Sequence, residues 1–340
     1  MNTRRKSWLN WFKKNLGFIS MQPVIKLLKS ARALSLSFDE FFILLALFVL
    51  TLFFGFTTEN FFSTSTLFSI LAQLPTLTVI TIGMTLVLIS GGIDLSVGSV
   101  VALSSAIIGI SFSALELPFF FAAVLGILAG GCVGLINGIL GSYFRLPIFI
   151  VTLGMLEISR GMTYMITNSQ TVYVGPSIQW LSLPISGLGI SISFVIALLL
   201  VVFTQLLLTR TVFGRYVIAI GTNETAAKIS GIRTEPYLAS VLVISGMFAG
   251  IGGLMSASYL GASDPNAAIG LELSAIAAAV IGGTSLMGGR GSIIGAFIGV
   301  MIISVLQNGL AQLGVSEPFK RRITGMVIIL AVLIDRWRYR

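Results

Sequence analysis

Ten apolar runs, each long enough or nearly long enough to cross a bilayer, recur along this chain between short polar or glycine-rich breaks. That alternation limits the fold more than any motif does. An α-helix rises about 1.5 Å per residue, so roughly 20 mostly apolar residues cross the hydrocarbon core. The runs are 41–56, 67–90, 97–115, 118–141, 147–166, 190–208, 237–260, 271–283, 291–313 and 323–334, of which the first, eighth and tenth are short. Of 340 residues, 56% are hydrophobic and only 10% are charged, against about 25% charged in a soluble domain. Too few charges are present to cover a soluble surface. The expected fold class is all-α: a polytopic membrane protein with about ten transmembrane helices.

The net charge of +9 does not point to nucleic acid, because of where the charge sits. Arg4, Arg5, Lys6, Lys13, Lys14, Lys26, Lys29 and Arg32 precede the first run, and Arg336, Arg338 and Arg340 end the chain. Basic residues flanking spans mark the cytoplasmic side, so both termini are expected there, which requires an even number of spans. Arg145, Arg210, Arg215, Lys228, Arg233 and Arg290 then fall in cytoplasmic connections, and Glu59, Glu116, Asp264, Glu272 and Glu317 fall outside. Lys320, Arg321 and Arg322 break the rule. The organisation read from this is a basic N-terminal segment at 1–40, a transmembrane domain at 41–336 and a basic cytoplasmic tail at 337–340. Residues 1–40 read as an amphipathic segment on the inner leaflet or as a disordered tail, and show no clean cleavable signal.

Several chemistries are excluded early. There is no histidine, so Ser-His, Cys-His and His-metal sites cannot form. No G-x-x-x-x-G-K-[ST] run is present, so the chain carries no P-loop. The single cysteine, Cys132, reads as a small packing residue. Glu157 and Arg160 read as an isolated i,i+3 ion pair. Glycines at 126, 130, 134 and 138, and at 291, 295 and 299, are spaced for close helix packing in lipid.

Three interruptions invite a functional reading. In Ser90-Gly91-Gly92-Ile93-Asp94-Leu95-Ser96-Val97-Gly98, an acidic residue lies between glycines inside apolar sequence. It marks either a broken helix beside a pathway or an N-terminal cap at the interface. In the loop 209–236, Asn223 or Thr222 can cap a short helix, Glu224 and Lys228 form an i,i+4 pair, and Gly231 suits the C′ position. This is a small helix built to dock, or else a solvated connector. In 275–299, Gly282, Gly283, Gly288, Gly289 and Arg290 mark a sharp reversal that is a hinge or a bare turn. The stretch from Gly282 to Gly289 weakly echoes that from Gly91 to Gly98, the kind of paired interruption found around transport pathways.

At these motifs the chain resembles the membrane-spanning permease subunits of ribose-type bacterial ABC importers. The resemblance rests on the ordered set Ile82-Gly83-Met84-Thr85, Gly91 to Gly98, Asn137-Gly138, Phe149-Ile150-Val151-Thr152-Leu153, Arg160-Gly161, Thr211-Val212-Phe213-Gly214-Arg215, Ala219 to Glu224, Ala226-Ala227, Ser230-Gly231-Ile232, Ile281 to Ser285, Gly288 to Gly291 and Asn308-Gly309. It covers nearly the whole membrane region. It implies the importer permease fold of the ribose, branched-chain amino acid and vitamin B12 type. Two permease chains, identical or similar, would form the path. Two cytoplasmic ATPase subunits would use ATP and Mg, with no cofactor held by this chain. A periplasmic binding protein would deliver a sugar. The coupling element would comprise Phe213, Gly214, Arg215, Gly221, Asn223, Glu224, Ala226, Ala227, Ser230 and Gly231, and the pathway with its broken helix Gly91, Gly92, Asp94, Ser96, Asn137, Glu272 and Asn308. One departure is Ser274, where many relatives have an acidic residue, leaving Glu272 as the only charge in that stretch. The competing classes are a secondary active transporter, which needs an intramembrane ionisable relay, and a membrane-embedded enzyme.

Overall fold

A computed structural model describes residues 38–185, 187 and 189–338. The chain divides into units Met1–Phe41 and Phe42–Arg340, and the bundle discussed here is the second. Apart from the first turn of α1, the expectations for 1–40 lie outside the described residues, as does Arg340.

The apolar runs are helices. In chain order they are α1 (Phe38–Thr57), α2 (Thr64–Ile89), α3 (Val97–Ser113), α4 (Phe119–Gly138, extended by a π-turn Ile139–Tyr143), α5 (Ile148–Thr167) and α6 (Ile192–Arg210). The loop then supplies α7 (Val212–Thr222) and α8 (Glu224–Ile229), followed by α9 (Thr234–Leu260), α10 (Leu271–Ile281), α11 (Ile293–Gln312) and α12 (Glu317–Arg338). Five of them, α2, α4 with its π-turn, α6, α9 and α11, are long and apolar enough to cross a membrane. The remaining predicted runs are also helices but are shorter or carry charges. A two-stranded antiparallel sheet pairs β1 (Val172–Tyr173) with β2 (Ala262–Ser263), Val172 opposite Ser263.

Local sequence sets the helix ends. Ser63, Ser191, Thr211, Asn223 and Ser292 each accept a backbone N–H from the first turn of the helix that follows, which satisfies donors the helix itself cannot. Helices α2 and α10 stop on the same device. Gly91 and Gly283 both take φ of +88°, and the next residue donates back five positions, Gly92 N to Val87 O and Thr284 N to Ala279 O. The shared cap equates Gly91 with Gly283, one residue out of the register of the sequence echo, which pairs Gly91 with Gly282.

Glycine spacing sets the packing. Gly130 and Gly134 of α4 lie directly against the backbone of Gly246 and Leu242 on α9, with no room for a Cβ. Gly295 and Gly299 of α11 do the same against Gly282 and Ala278. Without a hydrophobic driving force between helices in lipid, such backbone proximity is what holds them. Helices α2, α9 and α11 are mostly enclosed, while α4 and α6 turn most of their length outward. Phe48, Leu128, Ile158 and Phe203 are among the exposed apolar side chains, as expected of a lipid-facing surface.

Three expectations are corrected. Cys132 is exposed on α4 and does not pack. The last helix starts at Glu317, well before 323, because its first turns are polar: Lys320 pairs with Glu317 at 3.4 Å and the Arg322 guanidinium lies 5.3 Å from the Phe319 ring centre. Hydrophobicity cannot register such turns. Arg160 does not pair with Glu157 among the described residues. Its Nη1 donates to the carbonyls of Pro265 and Ala267, at 2.7 and 3.0 Å.

Candidate functional site: a glycine junction, a buried aspartate and a cavity

Three segments separated by up to two hundred residues of sequence meet at one end of the bundle. Gly221, near the end of α7, lies against the Ile89 carbonyl at the end of α2 and the Gly289 nitrogen. Gly289 N donates to Ile89 O at 2.8 Å. Gly288 lies against the Gly221 carbonyl and the Gly91 Cα, and Gly289 against Thr222. Gly91, Gly288 and Gly289 all have positive φ, and a side chain there would be strained as well as crowded. So the α2–α3 turn, the end of α7 and the α10–α11 turn touch mainly through backbone, with the Thr222 hydroxyl against Gly289. Gly282 packs on Gly295, Gly283 completes the α10 cap, and Arg290 is exposed with its carbonyl accepting from Ser285 N at 3.1 Å.

The loop itself is two capped helices. Thr211 Oγ1 accepts from Gly214 N, and Gly214 presses on the end of α6 at Leu208. Phe213 meets Tyr237 of α9 at 6.0 Å between ring centres, and Arg215 is exposed. Asn223 Oδ1 accepts from Ala226 N at 2.9 Å, so Asn223, not Thr222, caps α8. Ala226 is exposed, Ala227 is buried, and Ser230 and Gly231 close the helix. Glu224 pairs with Lys228 at 2.8 Å and accepts from Thr234 Oγ1 at 2.9 Å. The Lys228 ammonium holds the Glu224 carboxyl below its ordinary range, and the same bond raises Lys228. Val212, Ile229 and Met287 expose apolar side chains beside this junction, Ile229 at 83% and Met287 at 87%.

Beside the junction lies Asp94, only 1% exposed. Its Oδ1 accepts from Ser96 N at 3.0 Å and Ser96 Oγ at 2.6 Å, and its Oδ2 from Ser245 Oγ of α9 at 3.0 Å. Asn137 Nδ2 of α4 donates to Ser96 Oγ at 3.0 Å. Thr152 of α5 joins the same turn through Leu95 N and Ile93 O, each at 3.1 Å. Gly92 packs under Ile148. Asp94 does act at the start of α3: the helix begins at Val97 just after Ser96, whose backbone N–H the Asp94 carboxylate accepts. It does not interrupt one helix: Ile80 of α2 and Val101 of α3 both meet Gly252 of α9, so the two helices run antiparallel and Asp94 sits in a buried reversal. The carboxylate ties that reversal to α9, and through Ser96 to α4.

Away from the junction a cavity of about 500 Å³ opens between α2, α10, α11 and α12. Its polar lining includes Gln73, Asn308, Ser274, Glu317, Lys320 and Arg321. Asn308 is thus on the cavity, and its Nδ2 donates to Ser304 O at 3.0 Å. Glu272 is not on its wall. It sits in the first turn of α10 against Gly98 of α3 and accepts from Gly270 N at 3.2 Å. At Ser274 a hydroxyl, not a second acid, donates to Gly270 O at 3.2 Å.

Residues 66–332 match the family described as Branched-chain amino acid transport system / permease component. The chain belongs to this permease family. The permease is 36% identical over 297 residues to the ribose import permease of Escherichia coli K12, covering 86% of this chain and 92% of that one. It is 37% identical over 300 residues to the D-allose transport system permease of the same organism, covering 88% and 91%. It is 34% identical over 286 residues to the fructose import permease of Rhizobium meliloti, covering 82% and 79%. No solved structure matches the chain.

The permease thus gathers Gly91, Gly221, Gly288 and Gly289 into one contact, sets Asp94, Ser96 and Asn137 beside it, and leaves Asn308 at the cavity and Glu272 behind α3. Sequence reasoning missed Ser245, Thr152 and Gln205. Gln205 Oε1 accepts from Ile293 N at 2.9 Å, capping α11 from α6. The signal was available: Gln205 is the one carboxamide in α6, and a polar group at membrane depth needs a partner.

Proposed function

We propose that the permease forms one half of the path by which an ATP-driven importer takes up a monosaccharide. The relatives named for ribose, D-allose and fructose support the sugar class. A periplasmic binding protein delivers the sugar, and a separate cytoplasmic ATPase uses ATP and Mg. This chain performs no hydrolysis and holds no cofactor. A second permease, identical or similar, completes the path. The junction end faces the cytoplasm with both termini, in keeping with Arg145, Arg210, Arg215, Lys228, Arg233 and Arg290 in its connections.

The observation that carries this reading is the backbone contact of Gly221 with Ile89 and Gly289. An ATPase that docks on α7, α8 and the exposed Ile229 and Met287 pushes on the end of α2 and on the α10–α11 turn through the backbone of Gly221. ATP acts by stabilising one arrangement of the bundle over the other. Asp94 holds the α2–α3 reversal as one piece, and the cavity with Asn308 is a stretch of the path.

Reconstitution in liposomes with the ATPase and binding protein tests it. Uptake of labelled sugar is expected only with ATP, the binding protein and both kinds of subunit. Movement of sugar by the permease alone, down its gradient or driven by an ion gradient, would instead establish a secondary transporter and sink the proposal.

A further inference from the structure

Between β2 and α10 the chain runs without a helix through residues 264–270. Ser263 lies against Gly109 of α3 and the Ala268 carbonyl against Gly98. Those glycines are eleven residues apart in α3, so the segment descends about 16 Å along that helix. Non-helical backbone at such depth must find hydrogen-bond partners inside the protein. Few come from the segment itself: Ala267 N donates to Asp264 O at 3.0 Å, and Asn266 N to Asp264 Oδ1 at 2.9 Å. The Pro265 and Ala267 carbonyls are held by Arg160 Nη1 of α5, at 2.7 and 3.0 Å. Tyr164, one turn further along α5, donates to Asn266 Oδ1 at 2.9 Å. Ala268 takes φ of +64° and Gly270 +86°. A non-glycine residue in the left-handed region persists only where its surroundings fix it. Ile269 and Gly270, the next residues, form part of the cavity wall.

We infer that Arg160 is a positioning residue for transport: its guanidinium grips the Pro265 and Ala267 carbonyls and thereby sets the wall of the cavity between α2, α10, α11 and α12. The inference rests on the cavity being part of the path. A guanidinium suits the role because its planar fork offers several donors at fixed angles and stays charged, whereas an ammonium is a point charge. Arg160 therefore acts through the backbone of 264–270 and need not touch the sugar.

The test uses the full permease with Cys132→Ser and Ile269→Cys, reconstituted with its ATPase and binding protein. A membrane-impermeant maleimide reports on the wall, and sugar uptake and ATPase rate are followed in the same vesicles. Arg160→Ala is expected to raise the labelling rate about tenfold or more, since it loses two charge-assisted hydrogen bonds and one alone accounts for about that factor. Uptake should fall by a similar factor while basal ATPase activity is unchanged. Arg160→Lys, which keeps the charge and is the milder change should Arg160→Ala fail to insert, should restore part of both. Labelling unchanged by either variant overturns the clamp. Faster labelling with normal uptake overturns the role in transport. Neither result touches the sugar-import proposal, which stands or falls on the ATP dependence of the unaltered permease.

Discussion

A single methyl group added at Gly221 would meet the Ile89 carbonyl and the Gly289 nitrogen. Overpacking of this kind costs about 1–3 kcal/mol, and here the cost falls on the contact between loop and bundle. Gly221→Val is expected to leave the permease in the membrane at normal abundance and to cut ATP-driven uptake by about tenfold or more. Immunoblotting of membranes beside an uptake assay reads both, and unimpaired uptake removes the junction from the mechanism. Asp94 is a different case, since its oxygens serve the Ser96 and Ser245 hydroxyls. Hydrogen bonds to a charged group contribute about 1.5–3 kcal/mol. Asp94→Asn should lower stability by about that much in a detergent melt, and Asp94→Ala by more, because two buried hydroxyls lose their acceptor. A loss below about 0.5 kcal/mol for Asp94→Asn would show that the group adds nothing as a carboxylate. The acid itself was legible in the sequence. Its partner Ser245 was not, because it lies far along the chain and becomes a neighbour only when Gly83 of α2 lets α9 close over the reversal.

Helix α8 was legible at the level of the element, since Asn223, Glu224, Lys228 and Gly231 all read locally. Its pH response follows. Glu224 lies below its usual 4.5, so the pair contributes fully at neutral pH and is lost as the pH falls through that lowered value. Lys228 lies above its usual 10.5, so the contribution is lost again as the pH rises through the raised value. Both groups are partly exposed, and an exposed i,i+4 pair contributes about 0.3–0.5 kcal/mol. Amide exchange in α8, corrected for intrinsic rates, should be flat between about pH 5 and 9, with protection falling about twofold below pH 4. Glu224→Gln should abolish that acid step; if the step persists, another group is responsible. Helices α4 and α9 set a harsher test. Gly134→Leu directs a side chain at the Leu242 carbonyl and should prevent the two helices from closing, seen as loss of folded permease from the membrane fraction. The start of α12 was not legible, because Glu317 with Lys320 and Phe319 with Arg322 form turns that look like a loop by hydrophobicity.

For the whole molecule, the exposed apolar residues at the junction have a different standing from those on α4 and α6. Ile229 ends the short loop helix α8 and Met287 sits on the α10–α11 turn, neither on a lipid-facing helix. On the proposed function they belong to the surface that meets the ATPase. Ile229→Asp and Met287→Asp should each change stability by no more than about 0.5 kcal/mol. Co-purification of the ATPase with the permease should nonetheless fall sharply. Equal recovery of ATPase from wild type and variants would place the docking surface elsewhere. The basic residues that strained the orientation also gain a setting, since Lys320 and Arg321 border the cavity. Charge at membrane depth is tolerated where it faces a polar cavity.

Run length, the paucity of charge and glycine spacing determined on their own that this is a multi-helix membrane protein, where its helices other than α7 and α12 lie to within a few residues, and which loop carries a capped helix. These follow from local sequence because hydrocarbon thickness, capping geometry and backbone approach act over a single turn or a single helix. Tertiary structure alone decided what the interruptions are for. The recurring breaks between apolar runs look alike in sequence, yet three meet through Gly91, Gly221 and Gly288, the first of them a buried reversal pinned by Asp94, and a fourth descends along α3 in the grip of Arg160. Each of those outcomes rests on a partner far away in the chain, and a backbone carbonyl, unlike a side chain, carries no trace in the sequence of which group it will accept from.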